Sequence, residues 1–189
     1  MLKTAVALVS LAIVASPCFA DDLAMDTAKA EAGDFDAMLR VGLAYLHDKE
    51  PKKHEAGIKW LELSATGGVV TAYYDLGAAY QDGIGVEKDG QKAVMYLTLA
   101  AELGEIRGMN RLAGIYYLGK IAPQDDISAI KWALCAASLG DEPAKRNLER
   151  MKSQISQRSV ALGVNAALEW AKRRFGKNSK QGQEKTAGE

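Results

Sequence analysis

This chain of 189 residues holds very little that can do chemistry. It has two histidines, His47 and His54. Their spacing of seven spans a helix end and a loop with Pro51, not the i,i+3 or i,i+4 of helix-borne ligands, so no metal site is expected. It has two cysteines, Cys18 and Cys135. Removal of an N-terminal leader takes Cys18 away and excludes an intramolecular disulfide, even in an oxidising compartment. Cys135 has no histidine near it in sequence and reads as a small buried residue, inert as buried thiols are. No serine, cysteine or threonine is accompanied by a base. Gly83-Ile84-Gly85 imitates a phosphate loop, but it follows a helix and lacks the later Gly-Lys-Ser/Thr. The carboxylates Asp48/Glu50, Asp82/Asp89 and Asp125/Asp126 suit helix caps better than acid–base chemistry. The expectation is no catalytic residue, no metal and no cofactor: not an enzyme.

Excess charge is missing too. Twenty-four basic residues balance 24 acidic ones, and no basic block offers itself to nucleic acid. Long apolar runs are confined to the start. In Met1–Ala20, Lys3 supplies the charged end, Ala5–Ala15 the apolar run and Cys18-Phe19-Ala20 a small-x-small cleavage site before Asp21. The run is too short for a span of about 20 apolar residues, and Pro17 ahead of Cys18 argues against lipidation. Residues 1–20 are therefore expected to be a cleavable signal peptide. The protein would be periplasmic or secreted, with no integral membrane segment after cleavage and a net charge near −1, Lys3 having been lost.

What the chain does have is glycine, 18 residues of it, in register. Gly33/Ala37, Gly68/Ala72, Gly104/Gly108 and Gly140/Ala144 are pairs four apart. Tyr45, Tyr80 and Tyr116 step by 35 and 36; Trp60, Tyr96 and Trp132 step by 36, as do Ala65, Ala101 and Ala137. The fullest copy, Gly68–Gly104, reads as a helix ending at Asp82-Gly83-Ile84-Gly85 and a second from Asp89. Two helices joined by a glycine turn cannot bury their apolar stripes alone, so the unit must be stacked. The one-residue deficit falls in the first inter-helix loop, where a helical-hairpin solenoid tolerates it.

At these positions the chain resembles the Sel1-like repeat family, a relative of the tetratricopeptide repeat. Ala72, Leu76, Gly77, Tyr80, Gly83, Gly85, Val86, Asp89, Lys92, Ala93, Tyr96, Ala100, Ala101 and Gly104 fill its unit. The third copy keeps Leu112, Tyr116, Gly119, Asp125, Ala129, Lys131, Trp132, Ala136, Ala137 and Gly140 without Gly-x-Gly-Val, and the first loses the glycine turn. The resemblance covers roughly residues 33–148. It implies an all-α, right-handed superhelical solenoid of α/α hairpins, about four repeats long, acting through protein–protein interaction.

In chain order, 21–33 is expected to be an N-terminal covering helix and 34–139 three repeats, with hairpins at 34–66, 69–103 and 105–139. Residues 140–175 would be a degenerate fourth repeat and C-terminal capping helix, and 176–189 a disordered tail. Pro51 and Pro123 fall in loops. Each helix ends at glycine, as a left-handed cap would require. In the fourth copy Ala144 and Leu148 keep register, Glu149 replaces the glycine and Lys152 the tyrosine; Ala167 and Trp170 restore a small-x2-aromatic pattern displaced by two. Positions four, eight and twelve after the leading glycine (Ala72, Leu76, Tyr80) fall within about 80° of arc and form the buried stripe. Gly77 costs about 1 kcal/mol of helix propensity, worthwhile where a side chain would strike a neighbouring helix. Leu76→Ala or Leu112→Ala is expected to cost roughly 2–5 kcal/mol.

Positions six, ten and thirteen fall opposite the stripe, where tetratricopeptide-like stacks present a concave surface. They read Leu39, Leu43, Leu46; Tyr74, Ala78, Gln81; Asn110, Gly114, Tyr117; and Arg146, Arg150, Ser153. Three leucines on a wet face are anomalous, and tyrosine and arginine are enriched at interface hot spots. Either this row is the partner site, or the 22–33 helix covers the leucines as a lid while the arginines solvate a terminal cap. The functional expectation is a periplasmic scaffold or adaptor that binds another protein, such as an envelope signalling or assembly component. The resemblance leaves two alternatives: an immunity protein that neutralises a secreted antibacterial toxin such as a phospholipase, and, more weakly, a cell-envelope enzyme.

Overall fold

The 36-residue rhythm is built as antiparallel helix pairs. The computed structural model describes the backbone of residues 18–186 and the side chains of residues 22–176. The leader expected at 1–20 lies almost wholly outside the described residues. Among these, nine α-helices and no strand are found. Three hairpins run through the middle: α2 (Phe35–Leu46) with α3 (Pro51–Thr66), α4 (Val70–Asp82) with α5 (Gly90–Glu102), and α6 (Ile106–Leu118) with α7 (Asp126–Ser138). Helix α1 (Cys18–Glu31) packs on α2, and α8 (Glu142–Lys152) packs on α7. Helix α9 (Gln157–Thr186) completes the chain. No helix of the described residues is long and apolar enough to cross a membrane.

Local chemistry sets these boundaries. The carboxylates of Asp34, Asp89, Asp125 and Asp141 accept hydrogen bonds from backbone N–H groups of the first turns of α2, α5, α7 and α8, each such cap stabilising by about 1 kcal/mol. Pro51 is not in the loop but is the first residue of α3, where its missing N–H would have had no partner anyway. Gly83 and Gly119 cap α4 and α6 in the left-handed conformation, with φ of 74° and 65°. Glycine does not end every helix: α2 stops at His47 and α8 at Ser153, both with negative φ.

The expected stripe is the core. Ala72 and Leu76 are fully buried and Tyr80 nearly so, as are Ala93, Leu112, Ala129 and Trp132; Tyr96 and Tyr116 are half-buried. Tyr80 lies flat against Tyr96, ring centroids 5.6 Å apart, and Lys92 sits 4.9 Å above the Tyr80 ring. A Cβ on Gly77 would stand 2.7 Å from Leu97 Cγ, and one on Gly42 2.9 Å from Leu61 Cγ. The mid-helix glycines thus mark where the two helices of a hairpin touch. Gly85 serves another contact: its Cβ would lie 2.6 Å from the His54 carbonyl oxygen, so the Gly-x-Gly turn rests on the preceding hairpin.

The two ends depart from the expectations. Helix α1 meets α2 through a cluster of Ala30, Ala37, Met38 and Val41 with Leu23, Tyr45 and Trp60, reinforced by a two-bond Arg40–Asp26 ion pair. It does not cover Leu39, Leu43 and Leu46, which pack instead against the core shared by α3 and α4. At the other end α9 does not close on α8 as a second helix should; it lies along α7. Ala167 and Trp170 are buried there, with Trp170 edge-on to Trp132 at 6.4 Å. The α9 backbone continues to Thr186 where a disordered tail was expected from 176; its lysine, glutamine and glutamate are good helix formers and extend the helix beyond its last buried side chain.

Candidate functional site

The first helices of successive units, α2, α4, α6 and α8, lie side by side, and a groove runs across them in three connected lobes. The first lobe lies between α2, α4 and α6 and is lined by Leu43, Leu46, His47, Tyr74, Asp75, Ala78, Asp82, Ile84 and Arg111. The middle lobe is lined by Gln81, Asp82, Asn110, Arg111, Gly114, Ile115, Leu118, Lys120 and Ile121. The last, between α6 and α8, has Asn110, Gly114, Tyr117, Leu118, Asn147, Arg150 and Met151. Shared walls, Asp82 and Arg111 on one side and Asn110, Gly114 and Leu118 on the other, make it one trough. The middle lobe, ≈ 540 Å³, is the widest.

Of the residues expected on this face, Leu43, Leu46, Tyr74, Gln81, Asn110, Tyr117 and Arg150 line the trough. Leu39 does not; it is turned onto the core shared by α3 and α4. Arg146 is exposed one turn before Arg150, outside the lining. In the second repeat, position six faces the neighbouring first helix rather than open solvent, as the contacts of Tyr74 show. The Arg107 guanidinium stacks on its ring at 4.2 Å, that of Arg111 lies at 5.6 Å, and Arg111 Nε donates to its hydroxyl at 3.3 Å. Tyr74 also packs against the third-repeat core, so it pins two repeats together as well as forming a wall. Tyr117 donates its hydroxyl to the Gln154 side-chain oxygen.

The sequence reading passed over Asp75, Asp82, Ile84, Arg111, Leu118, Lys120 and Ile121. A helical wheel with one repeat's period does not include the loop residues after Gly83 and Gly119, nor the neighbours of the chosen positions. Asp75 had a visible signal, a carboxylate in the middle of α4 directly before the buried Leu76. Loss of solvent lifts its carboxyl to about 6, with the Arg107 charge pulling the other way. Its carboxyl makes no hydrogen bond among the described residues, nor does the Asn110 side chain, and Gln81 Oε1 is buried without a partner. Arg111 is held 3.6 Å from Asp82, whereas Lys120 and Arg150 have no carboxylate partner among the described residues. Ile84, Leu118 and Ile121 are exposed apolar walls.

The trough combines apolar walls with polar and charged side chains. His47 Nδ1 and His54 Nε2 lie 2.7 Å and 2.9 Å from the backbone carbonyls of Leu43 and Asp48. Among the described residues no group of three or more His, Cys, Asp or Glu is arranged to hold a metal. Cys135 is buried in the third-repeat core, and burial pushes its thiol up to about 11, so it is not an available thiolate.

The Sel1 repeat family matches the chain three times in tandem, at residues 35–69, 70–105 and 106–141. These borders coincide with the hairpins α2/α3, α4/α5 and α6/α7. No protein of curated function matches. Among solved structures, a Sel1 repeat protein from Oxalobacter formigenes is 31% identical, with a TM-score of 0.59 over 68% of this chain and 98% of that one. A protective antigen present in uropathogenic Escherichia coli strains, displaying an SLR fold, superposes with a TM-score of 0.76 at 23% identity over 86% of this chain, a likeness of fold. This chain spans 35% of that antigen's length. With three tandem matches over more than half its length, the chain belongs to the Sel1 repeat family.

Proposed function

We propose that this protein is a non-catalytic interaction scaffold, exported to the periplasm or beyond after loss of residues 1–20, and that it binds a partner protein along the first-helix groove. Sel1 repeat proteins generally mediate protein–protein interaction. The observation that carries the reading is a pair of lining side chains, Asp75 and Asn110, which make no side-chain hydrogen bond among the described residues and stand beside the exposed apolar walls Ile84, Leu118 and Ile121. A ligand that bonds these groups while covering the walls gains directed hydrogen bonds together with apolar burial. Stable protein interfaces combine such a desolvated apolar centre with a few directed hydrogen bonds.

The test is to purify the exported protein with whatever it retains from the cell envelope and to map amide-exchange protection against the free chain. Protection on α4, α6 and α8 is expected. Protection confined to α3, α5 and α7 would put the partner on the opposite face and sink the reading. Mass spectrometry of the same sample checks export, with Asp21 expected at the N-terminus.

A further inference from the structure

The two halves of the groove differ in charge. The first lobe carries Asp75 and Asp82 beside His47 and Arg111, a mixed and largely self-compensated set, since Arg111 is paired with Asp82 at 3.6 Å. From α6 onward the balance changes. Lys120 lines the middle lobe and Arg150 the last, and Arg146 stands one turn before Arg150 on the same face of α8. No carboxylate lines the last lobe. The acids nearest on α8, Glu142 and Glu149, are held by Lys145 and Lys152 at 2.6 Å and 2.8 Å. Arg150 makes only a neutral bond, donating to Asn147 Oδ1 at 3.3 Å, and Lys120 and Arg146 have no ion-pair partner among the described residues. Two exposed cations, Lys120 and Arg150, thus line the α6–α8 part of an apolar-walled groove, and a third, Arg146, stands beside it. In a chain of balanced charge this is a local field, and such fields steer and orient partners.

Resting on the reading of the groove as the partner site, we infer that its occupant is an acidic segment of another protein, bound with its carboxylates at the α6–α8 end and apolar side chains against Leu118 and Ile121. Guanidinium groups recognise carboxylates through paired, charge-assisted hydrogen bonds, so Arg146 and Arg150 fix which end of the segment lies over α8. The apolar walls favour such a segment over a bare polyanion, which would leave them wet. The direction of the segment follows from the charge gradient: its acidic end over α8, its neutral or apolar end over the leucines of α2.

A displayed library of random twelve-residue peptides, selected on the full chain without its leader, tests this. The enriched pool is expected to carry Asp or Glu clustered at one end beside an apolar residue. Binding of a pool member, followed by fluorescence anisotropy, should weaken by about tenfold or more in the triple variant Lys120→Glu, Arg146→Glu, Arg150→Glu, and also when ionic strength rises from about 0.05 to 0.5 M. All three side chains are exposed, and circular dichroism confirms that the variant is folded. Asn110→Ala is the separate control for location. An acidic pool that ignores Asn110→Ala and the charge reversal means that the groove itself is not the site. A pool that needs Asn110 but is neutral or basic, with no response to charge reversal, overturns the acidic occupant and leaves the groove reading intact. No enrichment at all overturns both for a peptide ligand. A chain that sediments as a dimer, and that the triple variant returns to monomer, makes the occupant a second copy and overturns the proposal.

Discussion

The second hairpin and the terminal unit begin with the same kind of helix and end differently. In the second, α4 and α5 close on each other at Gly77, where a Cβ would lie 2.7 Å from Leu97 Cγ and 3.1 Å from Leu97 N. The same register holds Gly42 in the first hairpin and Ala113 in the third; in the fourth it holds Glu149. Helix α8 still seats Ala144, Leu148 and Met151, so it stacks on α7 as a first helix should. A glutamate at the approach point leaves no room for a second helix beside it, and α9 turns onto α7 instead. There it crosses closely at Gly163, whose Cβ would stand 2.6 Å from Ile130 Cβ. Farther on, the Arg174 guanidinium donates to the Glu102 carbonyl oxygen at 3.2 Å. The register position that admits close approach in the first three hairpins thus carries a large, charged residue in the unit that stays open.

The comparison can be broken from either side. The largest effect is expected at the α9 anchor: Trp170→Ala removes a side chain 1% exposed and should cost about 3–5 kcal/mol in urea unfolding. A loss below about 1 kcal/mol would mean that α9 does not stabilise α7. Next, Gly77→Glu places in the closed hairpin the residue that stands in the open unit. Overpacking against Leu97 and burial of an unpaired charge should together cost about 2–4 kcal/mol, while Glu149→Ala stays within about 0.5 kcal/mol. Equal effects at the two sites would deny that this register governs closure. Smaller still, Asp89→Ala and Asp125→Ala each remove a cap that accepts from two backbone N–H groups and should each cost about 1 kcal/mol; Asp141→Ala, whose helix α8 lacks a partner, should report on the terminal unit alone.

The last prediction sets the groove against the stack. Asp75 has a folded pKa of about 6 against an ordinary 3.8, so the folded chain holds more protons than the unfolded one between those values. Its contribution to stability therefore falls as pH rises through that window and is wholly unfavourable above it. Asp75→Asn should be more stable than the parent at pH 7, and should lose the downward slope between about pH 4 and 6. An unchanged slope would place the carboxyl in water, and an Asp75→Asn less stable at pH 7 would show a carboxylate that the fold needs.

The stack was legible because repetition supplies its own controls. Ala72, Leu76 and Tyr80 could be recognised as a buried stripe from their spacing, and Gly77 as a point of contact, since each recurs where only packing explains it. The groove was half legible. A helical wheel fixes an angle on its own helix and not the direction of the neighbour, so Leu39 and Tyr74 were placed in open space when both face the next first helix. The same limit hid the ends. Lys29 to Gly33 echoes Ala100 to Gly104, the close of a second helix, yet nothing in it says which face of α2 it meets. Ala167 and Trp170 announce an apolar face on α9 without naming α7 as its partner. Lys120 and Ile121 belong to loops that no periodicity reaches.

Interhelix proton contacts by nuclear magnetic resonance test the register account most directly. They are best read from Gly163, where α9 either crosses α7 or does not. The account predicts Gly163 α-proton contacts to the Ile130 methyl groups and Trp170 ring contacts to Trp132, with none linking α9 to the Glu149 face of α8. Contacts from Gly163 to α8 across Glu149, without those to Ile130, would show a closed fourth hairpin and contradict it.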